Sequence, residues 1–325
     1  MLCYPPGMAS PSRTAPSRGA PAPITSRENR WLKDFRVALR GGLPTASGCI
    51  GVEGLRFVEE ALRSTLSIEA LLASASGERH LEHLAALLAR PDRADLRILR
   101  TTDHLFAGVA DTESPQGIAA LVHLRAATFD DLLRPASGAS PLLVVLAGVQ
   151  DPGNVGTILR TAEAFGATGA ATCASGVSGT ANPFSPKVLR ASAGSALRLP
   201  ILHGVALPIL LAQLRVSGIK VFATTSHEAL SHSPASAFSS ASPGSVTSTS
   251  SLLSPWQLDW LEPAALLIGN EGAGLPEEVE RSADARIRIP IAAGVESLNV
   301  AVSAALILYE AARQRLPGQA GHELP

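Results

Sequence analysis

An arginine, a glutamate and two asparagines between residues 154 and 299 have side chains that could orient and stabilise a reacting oxygen atom. They lie in three short segments: NVGTILR at residues 154–160, IGNEGAGL at 268–275 and IPIAAGVESLNVAVS at 289–303. Asn154 precedes the apolar positions of a predicted helix and is expected to be its N-cap. Arg160 lies off the apolar stripe of that helix, where a fixed cation can reach a phosphate or a developing oxyanion.

The second segment has three glycines in six residues and follows an apolar run that is typical of a buried strand. Open α/β sheets bind ligands in loops at this end of a strand, and the glycines indicate a bend or a close approach of the backbone to another group. The glycine spacing matches neither a Walker loop nor a dinucleotide-binding loop, and Glu271 would repel a phosphate. A cationic ligand removes that objection.

The third segment leads into a helix, predicted at residues 299–315, that is apolar on nearly every side as far as Tyr309. A helix that is apolar all round is buried in the core, in a subunit interface or in both. Its apolar surface exceeds what the sheet of one small domain covers. We therefore expect a homodimer that buries this helix.

The pattern of apolar residues predicts an α/β protein. A wholly apolar strand at residues 142–146 is typical of a central parallel strand that helices cover on both faces. Strands and helices alternate after it, which predicts a doubly wound parallel sheet. Helices are predicted at 155–165, 185–196, 207–216 and 299–315, and strands at 142–146, 170–173, 219–223, 264–268 and 285–289.

A chain of 325 residues is long enough for two globular domains. Short strands and helices before residue 135 predict a small α/β domain, whereas some stretches are too rich in Pro, Ser, Ala and Gly to form a core. The expected order is a disordered tail (1–26), the small α/β domain (27–134), a linker (135–141), the parallel-sheet domain (142–316) with a low-complexity insertion (231–254), and a tail (317–325). A transit peptide is the alternative for the first tail, but its prolines preclude a good amphipathic helix.

Composition argues against a membrane-spanning, disulfide-stabilised or metal-binding protein. No apolar run reaches the roughly eighteen residues of a membrane helix. Cys3, Cys49 and Cys173 are an odd number without C-x-x-C spacing, which supports neither a disulfide framework nor a zinc site. The formal net charge is −1 without a long basic block, so composition alone does not indicate a nucleic-acid partner. We expect a cytoplasmic protein with no metal.

Taken together, in this order and with these separations, the three segments resemble the motifs of the SpoU (TrmH-like) family of SPOUT-fold RNA 2'-O-ribose methyltransferases. The resemblance is strong over residues 142–315. More faintly, EGLRFVEEAL at 53–62 and SPQG at 114–117 resemble the small RNA-binding domain that precedes the catalytic domain in several of these enzymes. The resemblance implies that the cofactor is S-adenosylmethionine, whose positively charged sulfonium suits the acidic glycine loop. It also implies a C-terminal trefoil knot that forms the cofactor pocket at a dimer interface.

The resemblance also implies roles for individual residues. Catalytic roles fall to Arg160, Asn154, Glu271, Ser297 and Asn299. Cofactor contacts fall to Gly269, Asn270, Gly272, Ile289, Leu298 and Asn299. The segment at 190–200 resembles a part of these enzymes near the substrate entrance, so we expect Arg190 and Arg198 to contact RNA. A guanidinium is a poor base at neutral pH, so Arg160 is expected to position and stabilise the 2'-oxygen.

Three functions are compatible with this reading. The first is 2'-O-methylation of ribosomal RNA. The second is the same reaction on transfer RNA, which the separate N-terminal domain disfavours. The third is a catalytically inactive RNA-binding or ribosome-assembly factor, which the complete set of motif residues disfavours.

Overall fold

The computed structural model describes residues 22–135, 139–175, 178–225 and 251–316. Most of the predicted first tail, part of the predicted linker, most of the predicted insertion and the whole C-terminal tail lie outside these ranges. Within them, no helix combines the length and the hydropathy that crossing a bilayer requires.

The N-terminal domain is a four-stranded sheet with helices on both faces, as the α/β prediction requires. The strand order is β1-β4-β2-β3, in which β4 is antiparallel to β1 and β2, and β3 is parallel to β2. The strands are β1 Cys49–Glu53, β2 Ser67–Ser74, β3 Arg97–Thr101 and β4 Ile118–His123. The helices are α1 Arg30–Leu39, α2 Leu55–Arg63, α3 Glu78–His83, α4 Ala85–Leu88 and α5 Asp103–Ala107, and α6 Phe129–Leu132 follows the sheet.

The folded domain begins earlier than the predicted boundary at residue 27. Ile24 is buried, its N–H donates to the carbonyl of Arg100 at 2.7 Å, and its own carbonyl accepts from the Thr101 hydroxyl at 3.0 Å. Because β3 is an edge strand, its free backbone groups offer a place for this pairing. The last residues of the predicted disordered tail therefore belong to the sheet.

The C-terminal domain is an eight-stranded sheet with the order β10-β12-β9-β11-β5-β6-β7, and β8 also pairs with β6. All of its pairings are parallel except β6 with β7. The strands are β5 Leu142–Ala147, β6 Gly169–Ser175, β7 Ser178–Gly179, β8 Ile201–Val205, β9 Lys220–Thr224, β10 Ser251–Leu253, β11 Ala264–Ile268 and β12 Ala285–Ile287. The helices are α7 Pro152–Ala164, α8 Pro186–Ala191, α9 Ser195–Arg198, α10 Leu207–Val216, α11 Glu277–Ser282 and α12 Val300–Arg315.

The central strand β5 is buried on both faces, which confirms the prediction from its continuous apolar run. Leu142, Val144 and Leu146 share a core with α7 and α12, whereas Leu143 and Val145 share the opposite core with α10. The sheet is therefore covered on both sides, and the loops at its carboxyl edge sit on a rigid base.

Several elements differ from the sequence prediction. The predicted helix at 185–196 is split into α8 and α9, because Ala193 and Gly194 have φ values of 50° and 86°. The strand β8 and the helix α11 were not predicted. The predicted insertion at 231–254 ends in β10, a short edge strand that pairs in parallel with β12. The knot implied by the resemblance stays a prediction.

The two domains pack directly on each other. One apolar core runs from β1, β2, β4 and α2 into α7, α8 and α9. Two ion pairs cross the junction, since Arg190 lies 2.8 Å from Asp111 and Arg198 lies 2.5 Å from Glu60. The N-terminal domain therefore has a defined position relative to the parallel sheet.

Candidate active site

The first loop of the site joins β5 to α7 and is shaped by Asp151. The Asp151 carboxylate accepts the N–H of Asn154 at 2.8 Å, so Asp151 is the N-cap and the helix begins at Pro152. The prediction that Asn154 caps the helix is wrong. Proline suits the first helical position and aspartate suits the cap before it, and the Asp-Pro pair in the sequence was a usable signal for this boundary.

The asparagines of the first and third segments are joined by a hydrogen bond. Asn299 is the N-cap of α12, and its Oδ1 accepts the N–H groups of Ala301 at 2.9 Å and Val302 at 3.2 Å. Its Nδ2 therefore points outward and donates to Oδ1 of Asn154 at 3.1 Å. This leaves Nδ2 of Asn154 to donate to Oε1 of Glu271 at 3.2 Å. One chain of hydrogen bonds thus crosses all three segments.

Glu271 holds the loop after β11 against the loop after β5. Its carboxylate accepts the N–H of Gln150 at 3.1 Å and the N–H of Asp151 at 3.0 Å, in addition to the Asn154 amide. Partial burial opposes ionisation of Glu271, but these donated hydrogen bonds outweigh it and keep the pKa of Glu271 below its ordinary value. The carboxylate is therefore charged at neutral pH.

Asn270 organises the glycine loop itself. Its backbone pairs with that of Gly274, and its Oδ1 accepts the N–H groups of Gly272 at 3.0 Å and Ala273 at 2.9 Å. Its Nδ2 donates to the carbonyl of Gly148 at 2.8 Å. Gly274 has a φ of +67°, which favours glycine. The loop is therefore closed by its own hydrogen bonds.

Two predicted cofactor-binding glycines have different surroundings. A Cβ on Gly269 would lie 2.5 Å from the carbonyl carbon of Gly274 and 2.7 Å from the nitrogen of Leu275. Gly269 is thus needed for closure of the loop on its own backbone. A Cβ on Gly272 would meet only Oδ1 of Asn270, at 3.8 Å, so Gly272 is open to an approaching group.

The third segment is irregular between β12 and α12. Ser297 is exposed, and the structure records no hydrogen bond from it to any described residue. Ile289 and Leu298 are half-buried on either side of the exposed stretch. Backbone and hydroxyl groups of this segment are therefore accessible beside the glycine loop.

Arg160 is not part of the hydrogen-bonded chain. It is exposed on α7, six residues beyond Asn154 and hence about 9 Å along the helix axis. Glu163, one turn further, is bound by Arg198 at 2.7 Å. Among the described residues no carboxylate pairs with Arg160, so its guanidinium is available to a ligand.

The two predicted RNA contacts are engaged within the chain. Arg190 is paired with Asp111, and Arg198 is paired with both Glu60 and Glu163. Their guanidinium groups link the domains at the surface. The RNA contact of Arg190 and Arg198 stays a prediction.

Comparison with known proteins assigns this arrangement to a family. The model of the SpoU rRNA methylase family matches residues 141–309, slightly more than half of the chain. The chain belongs to the SpoU rRNA methylase family. The MRM3-like substrate binding domain matches residues 45–120, within the N-terminal domain. The resemblance of the three segments and of the small domain is confirmed.

Several relatives of this SpoU protein are similar over nearly their whole length. An uncharacterised tRNA/rRNA methyltransferase of Synechocystis is 32% identical over 90% of this chain and 94% of its own. The 23S rRNA (guanosine(2553)-2'-O)-methyltransferase RlmP of Bacillus subtilis is 29% identical over 88% of this chain and 97% of its own. The crystal structure of an AdoMet-bound rRNA methyltransferase from Sinorhizobium meliloti matches with a TM-score of 0.70 and 28% identity, covering 91% of this chain and 99% of that one.

Replacing Glu271 with glutamine tests the carboxylate at the centre of this SpoU site. Glu271→Gln puts an amide NH₂ against a backbone N–H, so one donor loses its acceptor. We expect a loss of stability of about 1 kcal/mol at neutral pH, measured by thermal or denaturant unfolding.

The same variant makes a prediction for pH. Because the pKa of folded Glu271 is lowered, its stabilisation is complete above the pKa of an unfolded glutamate and is lost as pH falls through the folded value. Parent and Glu271→Gln should therefore converge in acid. Glu277→Gln, at an exposed ion pair on α11, is the control and should change little. Equal effects of the two variants would contradict the assignment.

Proposed function

We propose that this protein transfers a methyl group from S-adenosylmethionine to a ribose 2'-hydroxyl of ribosomal RNA. The observation that carries the proposal is the hydrogen-bonded chain Asn299–Asn154–Glu271, which brings the three motif segments together at the carboxyl edge of the sheet. The similarity of this protein to a Bacillus subtilis protein named for 2'-O-methylation of 23S rRNA supports ribosomal RNA as the substrate.

The residues around the glycine loop fit the cofactor. S-adenosylmethionine supplies an electrophilic methyl group when it is bound. The open side of Gly272 and the exposed backbone before α12 offer polar groups to an adenosyl ligand, and the Glu271 charge favours a cation. The residues proposed to hold it are Gly269, Asn270, Gly272, Ile289, Leu298 and Asn299.

The chain's own contribution is to position the ribose and to stabilise its oxygen. An in-line displacement requires the 2'-oxygen to be held at attack distance and stabilised as it loses its proton. Arg160 has a permanent charge and no carboxylate partner among the described residues, and we assign it to the 2'-oxygen or the adjacent phosphate. The exposed Ser297 hydroxyl is assigned to the ribose, while Asn154, Glu271 and Asn299 hold the segments in register.

A second copy of this chain is proposed to cover α12. One face of α12 is buried in the core, but Val302, Leu306 and Tyr309 remain 48%, 47% and 57% exposed at successive turns. Tyr309 also packs edge-on against Phe165, the residue that follows α7, with ring centroids 5.8 Å apart. This apolar stripe supports a homodimer through α12 and α7.

We also propose a cytoplasmic location and rank two alternative functions. Cys49 and Cys173 are buried free thiols, which supports a reducing cytoplasm. Methylation of transfer RNA is the second candidate, since the Synechocystis relative is named for both RNA classes. An inactive assembly factor is disfavoured because the motif side chains are connected and Arg160 is available.

Mapping 2'-O-methylated nucleotides in total RNA tests the substrate class. We expect one ribosomal RNA position to lose its methyl group in cells that lack the gene, and to regain it on complementation with the parent chain. Loss of a transfer RNA methyl group instead would establish the second candidate. No change in either RNA class would favour the inactive factor.

Arg160 is predicted to act on the reacting oxygen and not on the cofactor. Arg160→Ala should bind S-adenosylmethionine as the parent does in calorimetry, yet turn over about a hundredfold more slowly. Arg160→Lys should restore little, because lysine lacks the planar fork. Arg281→Ala, at an exposed ion pair, is the control with normal turnover. Loss of cofactor binding in Arg160→Ala would show that Arg160 belongs to the cofactor pocket.

The dimer prediction is tested by charge insertion on α12. The parent should sediment as a dimer at micromolar concentration, and Leu306→Glu should sediment as a monomer because a carboxylate cannot be buried there unpaired. Val216→Glu, on an exposed turn of α10, is the matched control and should stay dimeric. A monomeric parent would reject the proposal.

A further inference from the structure

Three metal-binding side chains meet on one face of the N-terminal sheet, in residues that the methyl-transfer site does not use. Cys49 of β1 lies directly opposite His123 of β4, so the two side chains share a face of the sheet. The register between β2 and β4 shifts between Ile68 and Ala70, which makes Glu69 the extra residue of a β-bulge. A bulge re-aims a side chain, and here Glu69 joins the other two.

Cys49 and His123 both approach one carboxylate oxygen of Glu69. Oε2 of Glu69 lies 2.9 Å from Sγ of Cys49 and 3.7 Å from Nε2 of His123. The Ser47 hydroxyl lies 2.7 Å from the same oxygen and 3.8 Å from Sγ. All three ligand atoms lie within 4.8 Å of one another, a spacing that small side-chain rotations would adapt to one ion.

Two of the three ligand side chains are partly exposed, and the third is buried. Cys49 is fully buried, whereas the side chains of Glu69 and His123 are 27% and 40% exposed. His123 also lines a cavity of about 720 Å³ at the junction of the two domains. An ion could thus reach the cluster through the exposed parts of Glu69 and His123.

We propose that Cys49, Glu69 and His123 form a binding site for Zn²⁺. A thiolate, an imidazole and a carboxylate are the donors that zinc takes in tetrahedral sites, and sulfur and nitrogen donors exclude Mg²⁺ and Ca²⁺. Zinc binds with loss of the Cys49 proton to solvent, and water or the Ser47 hydroxyl takes the fourth position. The ion ties β1, β2 and β4 together beside the domain junction.

This inference departs from the sequence-based expectation of no metal. That expectation rested on the absence of closely spaced cysteines. The ligands come from three strands that are far apart in the chain, so no short spacing marks them. The zinc site does not depend on the proposed reaction.

Zinc titration of the full-length, metal-free protein tests the site. In competition with a chromophoric chelator, we expect one Zn²⁺ per chain. Cys49→Ser and His123→Gln should each bind at least about a hundredfold more weakly, since each loses a ligand. Cys173→Ser removes the buried thiol of β6 and is the matched control, which should keep full binding.

Cobalt substitution gives a readout that does not depend on a variant's folding. Co²⁺ in the parent should produce a thiolate-to-cobalt charge-transfer band in the near ultraviolet, and Zn²⁺ should displace it. The thermal midpoint of the parent, but not of Cys49→Ser, should rise with added Zn²⁺. Absence of the band, no zinc stoichiometry, or equal loss of binding in Cys173→Ser and Cys49→Ser would each overturn the proposal.

Discussion

The carboxylate of Glu271 is the interaction on which the arrangement of the active site depends. It accepts two backbone N–H groups from the turn after β5, and through Asn154 it reaches the cap of α12. These hydrogen bonds join the loop after β5 to the loop after β11 and to the start of α12. The cost of partly burying the charge is offset by the hydrogen bonds from these two backbone N–H groups and the Asn154 amide. Three distant segments therefore behave as one structure.

The network also decides which side chains remain for chemistry. Asn154 and Asn299 use their amides to connect segments, so neither is free to act alone. Arg198 forms an ion pair with Glu163, the acidic residue one turn from Arg160. The Arg160 guanidinium therefore has no carboxylate partner among the described residues. A rigid parallel sheet fixes the helix that carries it. Preorganisation of this kind is the principal means by which a protein stabilises a developing oxyanion.

The N-terminal domain has a defined position relative to the parallel-sheet domain, from which it would present the proposed RNA substrate. An apolar core shared with the parallel-sheet domain and two ion pairs across the junction resist rotation of one domain on the other. The proposed zinc site would reinforce the N-terminal sheet itself, because its three ligands lie on β1, β2 and β4. Recognition of a large substrate then becomes a matter of where this domain places it relative to Arg160.

Local sequence was sufficient for the α/β class, for the bounds of β11 and α10, and for the three segments of the site, because apolar periodicity and motif residues are local signals. Prediction from local sequence failed where a residue's structure or role depends on a partner that is distant in the sequence. Pairing with β12 makes a strand of residues 251–253 at the end of the insertion. The role of Asn154 followed from Glu271 and Asn299, more than a hundred residues away. Cys49, Glu69 and His123 meet only because three strands and a bulge bring them together. Only the tertiary structure determines such contacts, because hydrogen-bond partners and metal ligands must be close in space and need not be close in sequence.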